Sequence, residues 1–156
     1  MFISNSVWQT LVVLKEGCGP GTPPNCAALR GGEFSIEKST SWQNNTAVLN
    51  KDIYPLKVNP QLGYNGKAKF GFDDVSLGGS AGRVLKNQTV GGFAATDTYL
   101  GLLGLDPRSS NFTDQPPIPS YLQTLWDQSL IPSLSWGYTA GKQYRKRKYD
   151  IELFSG

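Results

Sequence analysis

Apolar and polar positions alternate in short bursts along this chain, separated by glycine, proline and asparagine, a punctuation that predicts strands rather than long helices. Residues 7–14 are apolar and β-branched and predict a first strand that ends at the segment GCGPGTPPNC. Arg30-Gly31-Gly32 marks a turn, and Ser39-Thr40-Ser41 a polar loop before Trp42. Residues 48–58 predict a strand region that Pro55 confines to an edge or a bend. Tyr64-Asn65-Gly66 predicts a hairpin turn, residues 67–77 its outgoing strand, and residues 84–93 and 99–105 two more strands.

Within 99–105 the apolar run is broken by Gly101 and Gly104, a pattern suited to a buried strand that another backbone segment approaches closely. A membrane span needs about 20 uninterrupted apolar residues, so this run predicts a packed centre and no membrane partner. One helix is predicted over 121–130, where Leu122, Leu125, Trp126 and Leu130 share a face. Ser120 and Gln123 form a capping-box pattern at its start, and Pro132 stops it. Residues 134–138 predict a last strand.

Composition agrees with a mostly-β class: 18 Gly, 10 Pro and only 17% charged residues describe a turn-rich chain. Its 156 residues suit one domain with a real core. The net charge of +3 invites a nucleic-acid reading until it is located. Lys142, Arg145, Lys146, Arg147 and Lys148 are five of the 15 basic residues, and Asp150 and Glu152 two of the 12 acidic ones, so residues 1–141 hold ten of each. The body has no basic excess, which argues against nucleic acid as a partner. Residues 142–156 are expected to form a solvated, flexible basic tail.

Cys18 and Cys26, with seven residues between them in a flexible loop, are read as a small-loop disulfide rather than two free thiols. No metal site is expected, because two cysteines without any histidine do not complete a zinc shell. Asn-x-Ser/Thr triplets at Asn44, Asn87 and Asn111 are glycosylation candidates and point to the secretory route. The first residues, MFISNSVWQTLVVL, lack the charge, apolar run and cleavage site of a signal peptide.

The absence of histidine removes Ser-His-Asp and Cys-His nucleophilic catalysis, leaving carboxylates, lysine or tyrosine as acid and base groups. The glycine-rich Gly17–Gly21 segment has no strand-to-helix context and loses an amide to Pro20, so it is no phosphate cradle. Asp73 and Asp74 are neighbours on a strand and point to opposite faces, which keeps them from sharing a proton; a solvated hairpin is expected for both. Asp97-Thr98-Tyr99 lacks the glycine an Asp-Thr-Gly turn requires and is expected to be structural.

LKNQTVGGFAATDTYLGLLGLDPRSSNFT followed by PSYLQTLWDQSLIPSLSWGYTAG resembles the secreted pepsin-like aspartic endopeptidases, in a divergent fungal branch. The resemblance runs from about Phe2 to Gly141. YLGLLGL matches the family's repeated apolar-apolar-Gly element beneath the active site, and SYLQTLWDQSLIPSLSW its helix and following strand. It implies a partial first lobe over 1–141, of double-psi-type β architecture with one short helix. It also implies peptide or protein as substrate, a second lobe as partner and no cofactor. The family reaction is peptide-bond hydrolysis by two aspartates that share a proton and activate a water.

Ile3-Ser4-Asn5-Ser6-Val7-Trp8 stands where the family has Phe-Asp-Thr-Gly-Ser-Ser, so Ser4 occupies the position of the catalytic aspartate. A serine hydroxyl cannot share a proton as a carboxylate does. The second lobe and the first strands of this one have no counterpart here. Tyr64 matches the tyrosine of the substrate-covering flap, on a hairpin shorter than usual. The expectation is a truncated or degenerate member, inactive as this chain, with a non-catalytic peptide-binding or inhibitory module as the alternative.

Overall fold

The computed structural model describes residues 1–44, 53–56, 66–77, 82–95, 100–109, 117–139 and 152–154. The architecture is mostly β. Seven strands form one sheet: β1 (Phe2–Ser4), β2 (Thr10–Val13), β3 (Gln43–Asn44), β4 (Ile53–Pro55), β5 (Lys67–Ser76), β6 (Val84–Phe93) and β7 (Leu102–Gly104). A separate pair joins β8 (Gly137–Thr139) to β9 (Glu152–Phe154). Two short helices complete the described elements, α1 (Cys26–Leu29) and α2 (Tyr121–Asp127). Among the described residues no helix is long and apolar enough to cross a membrane.

The sheet runs β1-β7-β2-β6-β5-β3, with β4 also on β5. β5 and β6 are ten-residue strands paired antiparallel, with a register shift between Asp73 and Val75. β3 and β4 lie one after the other along the same strand: Gln43 and Asn44 pair with Phe72 and Gly71, and Ile53 to Pro55 pair with Lys69 to Lys67. Pro55, which has no amide to donate, therefore sits where the sheet ends. Gly66 takes a φ of 100° at the foot of β5, the left-handed backbone that a turn at this point requires.

The departure from expectation is at the start of the chain. Residues 7–14 predict one strand, but pairing begins only at Thr10, because residues 5–9 form a loop that doubles back over β7. β7 thereby lies between β1 and β2. It runs parallel to β1, with Ser4 opposite Gly104, and antiparallel to β2, with Leu102 opposite Leu11. The close approach explains both glycines: a Cβ on Gly104 would stand 2.4 Å from the Val7 carbonyl oxygen, and one on Gly101 2.7 Å from that of Leu11. No side chain fits at those distances.

Between the glycines, Leu102 and Leu103 point to opposite faces and each enters a different apolar cluster. Leu102 packs with Leu11, Val13, Phe70 and Phe93; Leu103 packs with Leu85, Leu105, Tyr121 and Leu122. The helix that closes the second cluster begins where expected. The Ser120 hydroxyl accepts from the Gln123 amide at 3.2 Å, but the Gln123 side chain turns to Asp127 instead of completing the box. The helix ends at Asp127, short of the expected 130, and Ser129 has a φ of 55°. Of the face that the spacing predicts, Leu122 is buried, Leu125 and Leu130 pack partly buried on the same cluster, and Trp126 is exposed, while Tyr121 takes its place inside. The strand expected over 134–138 is found at Gly137–Thr139, and a later one, β9, follows it. Of the basic tail, only Glu152–Phe154 is described, as the partner of β8.

Gly104→Ala is expected to lower the urea midpoint by an amount equivalent to about 1–3 kcal/mol, as overpacking does. Gly137→Ala, whose added methyl meets nothing within 4 Å, serves as the control and should stay within about 0.5 kcal/mol of wild type. Equal midpoints for both variants would contradict the close approach. Loss of the helix cap in Ser120→Ala should remove about 1 kcal/mol in the same assay.

Candidate functional site

The turn between β1 and β2 is pinned at its ends and middle by backbone bonds to β7 and its extension. Phe2 N–H donates to the Gly101 carbonyl at 2.8 Å, Leu105 N–H to Ser4 at 2.7 Å, and Asp106 N–H to Val7 at 3.1 Å. Ser4 is half-buried at the end of β1, while Asn5 and Ser6 are exposed at the tip. The Ser4 and Ser6 hydroxyl oxygens are 3.2 Å apart, and the Ser6 amide donates to Ser4 Oγ at 3.4 Å. Among the described residues neither hydroxyl bonds to a carboxylate or an amine that could serve as its base. The turn therefore presents two neutral hydroxyls on a fixed backbone, without a group that takes up or gives a proton near neutral pH.

Two residues beyond Gly104, Asp106 is buried beside this turn. Arg108 Nε lies 3.0 Å from both carboxylate oxygens, its Nη2 2.5 Å from Oδ2, and its amide 3.0 Å from Oδ1. The guanidinium holds the Asp106 carboxyl below its usual range, so this acid stays ionised and paired. The sequence signal for such a clamp is Asp-Pro-Arg, an acid and a base two apart across a proline.

Asp73 and Asp74 do point apart, but only one is solvated. Asp73 is buried and accepts from the hydroxyls of Ser39, at 3.0 Å, and Ser41. Asp74 pairs with the exposed Lys86 at 2.7 Å, and that ammonium draws its carboxyl below the ordinary range. The expectation of a solvated hairpin for both fails at Asp73 because the polar loop Ser39–Ser41 supplies hydroxyl donors to it from more than thirty positions away.

Cys18 and Cys26 are joined, with an S–S distance of 2.02 Å and Cα atoms 5.6 Å apart. Behind them Arg30 is buried rather than lying in an open turn. Its guanidinium donates to the carbonyls of Gly17 and Ala95, each at 2.7 Å, and sits 5.8 Å from the centre of the Phe93 ring. It ties the cysteine loop to the end of β6. On the other side of the sheet an apolar cavity of 290 Å³ is lined by Leu77, Leu105, Leu122, Leu125 and Trp136, with Arg83 among its walls. Burial there pushes the Tyr121 hydroxyl up to about 12, which removes it as an acid or base at neutral pH.

Asn44 and Asn87 are exposed, and Asn44 accepts from the Trp42 indole N–H at 3.1 Å. Tyr64, Asp97, Tyr99 and Asn111 lie outside the described residues.

No family model and no curated protein matches this chain. Its function therefore rests on the chemistry of these residues.

Since the folded-state value of Asp106 lies below the usual 3.8, its pairing with Arg108 stabilises the fold above that pH, and the contribution fades as acid is added below it. Asp106→Asn is expected to unfold at lower urea than wild type at neutral pH, with the two curves converging below about pH 4. A gap that persists unchanged into acid would contradict an ionised Asp106. The exposure of Arg108 keeps the effect modest.

Proposed function

We propose that this chain forms part of the first lobe of the pepsin-like aspartic endopeptidase fold, with Ser4 in place of the catalytic carboxylate, and that it does not cleave peptide bonds. The observation that carries the reading is the packing of the Gly-Leu-Leu-Gly strand. β7 supports the turn that begins at Ser4, with Ser4 and Gly104 in register and the following loop stacked on the glycine. The resemblance requires such a relation between the apolar-glycine element and the turn above it. The mostly-β sheet, the helix that starts at Ser120 and the strand after it are in keeping with the same reading.

The inactivity follows from proton chemistry. An aspartyl dyad works because two adjacent carboxyls cannot both ionise, so one proton is shared and a water is polarised between them. A serine hydroxyl ionises far outside that range and accepts no proton from water. Asp106 cannot substitute, since Arg108 keeps it charged and occupied. Asp73 is held by two serine hydroxyls on a different strand.

Purified chain incubated with a mixed-sequence peptide library from acid to neutral pH is expected to give no cleavage that pepstatin abolishes. Ser4→Asp alone is expected to remain inactive, because the introduced carboxylate still lacks the second one. Pepstatin-sensitive turnover by the unmodified chain would overturn the reading.

A further inference from the structure

We propose that Asn87 is an N-glycosylation site and that β6 retains a threonine at position 89 for that modification rather than for the fold. The inference does not rest on the protease-lobe reading; it needs only that the chain enters the secretory route.

The argument starts from a hydroxyl that the folded protein does not use. Thr89 lies in the middle of β6, buried and paired with Phe72 of β5, and its Oγ1 is inaccessible and without a hydrogen-bond partner. Valine has the same shape and no polar atom to strand, so packing favours valine here. The one chemistry on this segment that requires the hydroxyl is the acceptor triplet Asn87-Gln88-Thr89.

The other end of the triplet is built to carry a substituent. Asn87 is exposed, and its φ of 55° is a left-handed conformation that asparagine tolerates better than most residues. Its backbone is fixed on both sides. The Asn87 amide donates to Asp74 Oδ1 at 3.2 Å, and Gln128 on α2's C-terminal end both accepts from the Lys86 amide and donates to its carbonyl. Beside Asn87 runs a groove of 280 Å³ walled by Phe72, Pro117, Ile118 and Pro119, an apolar surface against which the flat face of a first sugar ring can lie.

Because Gln88 and Thr89 are buried in the sheet once it forms, the transfer precedes folding. The donor is a lipid-linked oligosaccharyl diphosphate. The Asn87 carboxamide nitrogen bonds to the anomeric carbon and loses one proton, the carbon–oxygen bond to the diphosphate breaks, and the lipid diphosphate departs with the bonding electrons. No oxidant or reductant is involved.

The test is expression of the full chain behind a cleavable secretion signal in a eukaryotic host. Secreted and cell-retained pools are both mapped by peptide mass spectrometry after enzymatic deglycosylation in heavy-oxygen water. The expected result is a labelled aspartate at position 87 in the majority of chains. Thr89→Val should abolish the label at this position alone while raising the melting temperature of the deglycosylated protein, and Thr89→Ser should retain the label. An unmodified Asn87 in both pools, or label confined to Asn44 and Asn111, would overturn the site. A Thr89→Val chain less stable than wild type would overturn the claim that the hydroxyl is surplus to the fold.

Discussion

The structure depends on one close backbone approach, the passage of β7 between β1 and β2 beneath the loop that joins them. Three consecutive constraints meet there. The strand must bond to neighbours on both edges, its two leucines must feed two different apolar clusters, and its flanking positions must leave no room for a side chain. Only Gly-apolar-apolar-Gly satisfies all of them. The gain is that the Ser4 turn is anchored to the β7 segment by main-chain bonds, and these do not depend on what side chain it displays.

That independence accounts for the pairing of a well-supported turn with an unreactive one. Buried charges are disposed of locally, beside the turn and away from it: Asp106 by Arg108, Asp73 by two serines, Arg30 by two carbonyls and the Phe93 face. Buried charges are tolerated when their partners are close and geometrically matched. In each case the partner saturates the group, which then serves the fold and is not free for chemistry.

What could be read along the sequence was whatever local spacing determines. β6 has the bounds its residues predict, the cap at Ser120 forms, and Pro55 marks a sheet margin, because each depends on neighbours within a few positions. α1 was missed because a four-residue helix shows no periodicity. β1 was missed because its partner among the described residues is Leu102–Gly104, far along the chain, and three residues carry no alternation to detect. The burial of Asp73 is of the same kind, since its donors lie more than thirty positions away. The loop after Ser4 was missed by local spacing, which predicts one strand over 7–14, and so was the Asp106–Arg108 clamp beside it. A polar loop composition conceals which of its charges faces inward.

The threaded strand also sets an order of assembly. β1 and β2 are made well before β7, yet neither pairs with the other, and the strand that must lie between them comes far later along the chain. Until then β1 lacks the strand it pairs with, while β2 has only β6. Contacts of such long sequence separation form slowly, because a large loop must close before any bond is gained. β1 thus takes its place in the sheet only after the chain has been made as far as β7.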